Sequence, residues 1–250
     1  MVTAVADHPA LRNAYGNFLA TLVVPDRQLA EVARHIPAGV MLPISVVISG
    51  GAGGLIVLSR RDLPGLEVVS AEPALRDLDD LAGSTARVMS AAAERGSEVA
   101  IFVEPPYAPG WEAAVQLVEA TGLYGKIAVD EAEPRQTAEQ LSILIEADLP
   151  FKITSRFRVR WLAVLTAVEA LIDDTNIDEA AELLHSGNDQ IGKQVAGSEQ
   201  TRQSRVRRRL RRLGTYQVAD VIKNYAVAGT TRDSVPRTCP GEFIMAWRPP

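Results

Sequence analysis

A chain of 250 residues with 47% hydrophobic and 23% charged residues is long enough to bury one sizeable core and has the composition of a globular protein. Its formal charge of -5 gives no global electrostatic reason for a nucleic-acid partner. The single cysteine, Cys239, excludes an intrachain disulfide and a cysteine-based zinc site.

Met1–Arg12 lacks the basic start, apolar core and small-residue cleavage pattern of a secretory signal. The longest apolar helical segment, around Trp161–Ile172, is interrupted by Glu169 and is shorter than the roughly 20 residues that span a bilayer. These features predict a soluble, cytoplasmic protein.

In chain order, Phe18–Val24 is rich in β-branched residues and is closed by Pro25-Asp26, which caps a helix over Arg27–Ile36. Pro37, Gly39 and Pro43 break the chain before a strand at Ile44–Ser49. The glycine cluster Gly50–Gly54 follows, and the apolar segment Leu55–Arg61 is too brief to assign. Pro64-Gly65 turns into a strand at Leu66–Glu72, and Leu78, Leu81, Val88 and Met89 give Asp77–Arg95 a helical period that Gly96 stops. The next units are strand Val99–Glu104 with helix Trp111–Ala120, strand Lys126–Asp130 with helix Thr137–Ala147, and strand Phe151–Ser155 with helix Arg160–Ile172. A short helix, Asp178–Leu184, closes the pattern.

Strands alternating with helices through short connections call for right-handed parallel crossovers. The fold expected is α/β, an incomplete or irregular (β/α) barrel over residues 1–195. An open doubly wound parallel sheet is the alternative that periodicity cannot separate from it. Residues 196–250 read as an Arg-rich segment and a C-terminal tail, with Thr230–Pro250 as loop.

Side chains alternate along a strand, so each strand has two faces. Ile101 and Val103 oppose Phe102 and Glu104; Ile127 and Val129 oppose Lys126 and Asp130; Phe151 and Ile153 oppose Lys152, Thr154 and Arg156; Glu72 shares a face with Val68 and Ser70. If the apolar faces look outward at helices, then Glu72, Glu104, Lys126, Asp130, Lys152 and Arg156 converge on one interior. Buried charges must be paired or must bind something. Two readings follow: an ion-pair network that fills the interior, or a ligand site where parallel strands end. As a site, Glu72, Glu104 and Asp130 are oxygen ligands of the kind that hold Mg²⁺, and Glu72, Glu104 and Lys152 are the catalytic candidates. Lys152 is there for proton transfer, for a substrate carboxylate or for a Schiff base. Lys126, at the start of its strand, is the weaker lysine.

Ser49–Gly54 invites a phosphate-cradle reading, but Leu55 and Ile56 stand where a dinucleotide fingerprint has glycine, and no Lys-Ser/Thr follows. A flexible turn is the simpler expectation. His35 and His185 fall at helix ends, and His8 and Cys239 near the termini. Seven arginines crowd the eleven positions from Arg202 to Arg212, with Val206, Leu210 and Leu213 spaced as one helical face. That segment reads as a solvated amphipathic helix or as an electrostatic footprint for nucleic acid or an acidic partner.

The run Leu149-Pro150-Phe151-Lys152-Ile153-Thr154 follows helix Thr137–Ala147 and the strand containing Gly125-Lys126-Ile127. It resembles a group of uncharacterised, largely actinobacterial proteins whose last strand reads Pro-Phe-Lys-Ala-Thr-Ala-Gly-Leu-His-His. The resemblance implies a barrel-like α/β fold and no known activity. Lys152 and Thr154 match, whereas Ser155-Arg156-Phe157-Arg158 stands where the Ala-Gly-Leu-His segment would be, and the paired histidines are absent. Lost or changed chemistry is what that departure implies.

The leading functional expectation is a protein of enzyme ancestry that binds a small anionic metabolite at the strand ends, as a lyase or isomerase. The alternative is a non-catalytic scaffold or interaction protein that docks nucleic acid or an acidic protein through Arg202–Arg212.

Overall fold

The computed structural model describes residues 19–95, 99–129, 133–155, 161–185, 200–215 and 243–246. Among them lie eight strands: β1 Leu19–Pro25, β2 Leu42–Ile48, β3 Leu66–Pro73, β4 Ala100–Val103, β5 Tyr124–Ala128, β6 Phe151–Thr154, β7 Leu210–Thr215 and β8 Phe243–Ala246. Helices α1 Leu29–Arg34, α2 Gly51–Ser59, α3 Leu81–Arg95, α4 Trp111–Ala120 and α5 Pro134–Glu146 each follow one of the first five strands. Helices α6 Trp161–Ile172, α7 Ile177–His185 and α8 Gln200–Arg209 lie between β6 and β7. By contacts the chain forms two compact units, Met1–Lys126 with Glu242–Pro250, and Ile127–Gly241.

In the first unit every neighbouring pair of strands is parallel, in the order β8-β1-β2-β3-β4-β5. This order follows the chain without the reversal that defines a doubly wound sheet. The fold is therefore α/β with a sequentially wound parallel sheet, the arrangement of an incomplete (β/α) barrel, and the doubly wound alternative is set aside. Helix α4 shows how such a helix is held: Trp111, Ala114, Val115 and Val118, spaced i, i+3, i+4, i+7, are all buried.

In the second unit β6 and β7 are parallel, and Val129 N–H, just past β5, donates to Thr154 O at 3.0 Å. Helix α6 is apolar on nearly all sides and buried to match, with Trp161, Leu162, Ala163, Val164, Ala167, Val168 and Leu171 inside.

Three segments differ from expectation. The glycine cluster is not a flexible turn: Gly51–Gly54 form the first turn of α2. A Cβ on Gly54 would lie 2.4 Å from Ile48 Cγ2, so glycine is what lets α2 approach β2. The supposed tail contains strand β8, paired with β1. The Arg-rich segment is a helix only to Arg209, after which Leu210–Thr215 pairs with β6. Three of its arginines are engaged locally: Arg205 bonds Asp173 at 2.5 Å, while Arg208 and Arg209 reach Asp148 at 2.8 and 3.1 Å. Asp148 and Asp173 lie just beyond the ends of α5 and α6, so these contacts tie α8 to its neighbours. No helix among the described residues is long and apolar enough to cross a membrane.

Candidate functional site

The polar face foreseen on the strands exists in the first unit. Register pairs Ser45 of β2 with Ser70 of β3 and Val103 of β4 with Gly125 of β5, and an isolated bridge pairs Ala74 with Glu104. Strand alternation then puts Ser45, Ser70, Glu72, Glu104 and Lys126 on the same face. Ser70 Oγ donates to Ser45 Oγ at 2.7 Å, and Ser45 Oγ donates to Glu72 Oε1 at 2.6 Å. The other Glu72 oxygen accepts from Lys126 Nζ at 3.2 Å, and Lys126 Nζ also bonds Glu104 Oε2 at 2.6 Å.

Exposure rises along this chain of side chains. Ser70 and Ser45 are fully buried, Glu72 is 2% exposed at its side chain, Lys126 13% and Glu104 35%. Glu72 occupies the penultimate position of β3, and Glu104 directly follows β4. The network therefore opens toward the C-terminal ends of these strands, the end where parallel α/β folds carry their ligands.

Burial by itself would lower the pKa of Lys126. The charges of Glu104 and Glu72, with the hydrogen bonds to both, outweigh that effect and hold it above the ordinary lysine value. Lys126 is thus an ammonium at neutral pH. An ammonium has three N–H donors, and among the described residues two of them are taken, by Glu72 and Glu104.

The lysine ranked weaker from the sequence is the hub. Strand β5 begins at Tyr124 rather than at Lys126, so Lys126 stands mid-strand, between two carboxylates from β3 and β4. The expected Mg²⁺ ligand set is changed by the same fact: the ammonium occupies the place between Glu72 and Glu104 that a divalent cation would take. Asp130, the third proposed ligand, lies outside the described residues, as do Arg156, His8 and Cys239. No group of three or more His, Cys, Asp or Glu side chains suited to a metal occurs among the described residues.

Lys152 belongs to the second unit, where it is completely buried on β6. Its stem runs beside Gly214 of β7, where a Cβ would lie 3.3 Å from Lys152 Cε and 2.9 Å from Thr154 Cγ2. His35 and His185 sit at the ends of α1 and α7, and His35 Nδ1 is 2.8 Å from Glu31 O. Ser45 and Ser70 were not foreseen; the signal available for them is a lone serine inside the otherwise apolar β2 and, in β3, a serine on the same face as Glu72.

No family model, no curated protein and no solved structure matches this chain.

Proposed function

We propose that the chain receives the carbonyl oxygen of a small metabolite at the ends of β3, β4 and β5 and moves a proton on the adjacent carbon, the chemistry of a lyase or isomerase. The observation that carries this reading is the hydrogen-bonded series Ser70, Ser45, Glu72, Lys126, Glu104, graded from buried to one-third exposed. Glu104, the solvent-facing member, is the general base. Lys126 polarises the carbonyl through its remaining N–H and holds the negative charge that develops on oxygen. Glu72, fixed from behind by Ser45, keeps Lys126 charged and in place, and so acts as a positioning residue.

Two glutamates face the one lysine in this network. The group presented to Lys126 is therefore a neutral carbonyl, and an anionic group of the ligand lies away from the pair. Lys126 as a charged donor also takes the role first given to Lys152. Docking of nucleic acid or an acidic protein through Arg202–Arg212 is the less favoured function, because Arg205, Arg208 and Arg209 are engaged with Asp173 and Asp148.

The test is solvent deuterium exchange, followed by proton NMR in D₂O, into acetone, hydroxyacetone and pyruvate. The expected result is catalysed loss of the signal beside the carbonyl, reduced about 10²-fold or more in Glu104→Gln, the low end of a general base's usual contribution. Exchange at the buffer rate for all three compounds overturns the proposal.

A further inference from the structure

We infer that the cavity between α1 and loop 60–65 is a second binding site, for a small organic carboxylate whose charge is held by Arg34 and Arg61 and whose apolar body rests on the aliphatic walls. This goes beyond the proton-transfer reading and does not depend on it.

Helix α1 makes one wall. Leu29 and Val32 are buried, whereas Ala30, Ala33 and Arg34, spaced i, i+3, i+4, share another face. The two alanines leave a recess on that face, and Arg34 stands at its end. Arg34 Nε donates to Ala30 O at 3.2 Å, which lays the guanidinium back along the helix toward the recess.

The loop between α2 and β3 makes the other wall. Arg61 N–H donates to Leu58 O at 3.2 Å, and Leu66 N–H donates to Leu63 O at 3.0 Å, so both ends of the loop are hydrogen-bonded turns. Pro64 fixes its own φ, and Gly65 takes φ +76°, where a Cβ would lie 3.2 Å from Ile36 Cγ2. Glycine is what lets the loop close on the segment that follows α1. The two walls are therefore set before a ligand arrives, which lowers the ordering cost of binding.

The chemistry of the lining names the ligand class. The cavity has a volume of about 320 Å³, at the small end of the range of small-molecule sites. Ala30, Ala33, Leu63 and Pro64 give it aliphatic walls, and one acidic side chain, Asp62, stands against two arginines. Among the described residues no carboxylate pairs with Arg34 or Arg61, and the Arg34 Nε bond is the one hydrogen bond their side chains make. A guanidinium is always charged and presents a planar fork of donors that meets a carboxylate with two parallel hydrogen bonds. The aliphatic walls select a carboxylate that carries an apolar body, and the small volume restricts that body to a short chain or a single ring.

Loop 60–65 leads into the start of β3, and Arg34 ends the helix that returns the chain to β2, so the cavity lies at the N-terminal ends of the strands. The Glu72–Lys126–Glu104 network opens toward the other ends, and a ligand held between α1 and the loop leaves it accessible.

The test is titration of the ¹⁵N-labelled full chain, followed by its amide shifts, with benzoate, with its neutral counterpart benzamide, and with acetate, a carboxylate that lacks the ring. Arg34→Gln and Arg61→Gln each remove one fork, and Ala30→Trp fills the recess while keeping both arginines; all three positions are exposed. The expected result is saturable binding of benzoate at millimolar concentration or below, weaker by about tenfold or more for benzamide, for acetate and in each variant, as the loss of a hydrogen bond to a charged group implies. No saturable benzoate binding by the folded wild type overturns the site. Benzoate binding that any one of the three variants leaves intact also overturns it. Benzamide or acetate binding as tightly as benzoate overturns the ligand class.

Discussion

Lys126 Nζ stands 2.6 Å from Glu104 Oε2, a contact that joins the middle of β5 to the end of β4 and leaves the buried Glu72 on the far side of the ammonium at 3.2 Å. Removing the lysine takes from the buried Glu72 the ammonium that faces it. Lys126→Met should therefore cost about 3–5 kcal/mol in urea unfolding. Adding Glu72→Leu should recover most of that loss, because an apolar pair replaces a buried carboxylate that has lost its ammonium. A loss below about 1 kcal/mol in the single variant would mean that the pair is solvated as a surface ion pair is.

The same contact fixes the alkaline limb of the stability curve. A lysine whose pKa is higher folded than unfolded contributes in full below the unfolded value and loses that contribution as pH climbs through the folded one. The ordinary lysine value is 10.5, so Lys126 should add constant stability through neutral pH and a decline only above about 10.5. Melting temperatures from pH 8 to 11.5 should show a steeper alkaline fall in the wild type than in Lys126→Met. Parallel curves would contradict the coupling.

Two adjacent glycines of α2 should respond in opposite directions. A Cβ on Gly53 meets nothing within 4 Å, so Gly53→Ala should stabilise by about 0.4–1 kcal/mol through the smaller entropy of the unfolded chain. A Cβ on Gly54 would sit 2.4 Å from Ile48 Cγ2, so Gly54→Ala should destabilise by about 1–3 kcal/mol through overpacking. Chemical denaturation of both variants decides it, and a destabilised Gly53→Ala would show that the cluster is glycine for another reason.

Gly214 makes room for two β6 side chains. Gly214→Ala brings a methyl to 2.9 Å from Thr154 Cγ2, and about 1–3 kcal/mol of destabilisation is expected. Thr154→Ser deletes that methyl, so the double variant should lose less than the sum of the singles. Additive losses would place the strain on Lys152 Cε instead, 3.3 Å from the same Cβ.

Much of this was legible in the sequence, for identifiable reasons. Strands β1 to β6 carry runs of β-branched and apolar residues bounded by proline, glycine or charge, and each lies within a few residues of its expected place. Glu72 and Glu104 could be placed on one face because alternation needs no tertiary information. Helix α2 was illegible at its start because glycine has poor intrinsic helix propensity, and close packing on Ile48 overrides propensity. Strand β7 imitated a helix: Leu210 and Leu213 are both buried at a spacing of three because the strand carries a bulge, with Phe151 paired to Leu210 and Lys152 to Arg212. The role of Lys126 hinged on two residues of strand boundary, the least certain quantity in any pattern-based reading.

The most direct test of the account is the charge state of Lys126, read by NMR on chain labelled with ¹⁵N at its four lysines. The account predicts an ammonium signal that persists above the ordinary lysine pKa, is lost in Lys126→Met, and moves to lower pKa in both Glu104→Gln and Glu72→Gln. A Lys126 that titrates at or below the ordinary value, or that ignores both substitutions, would contradict the network on which the proposed chemistry depends.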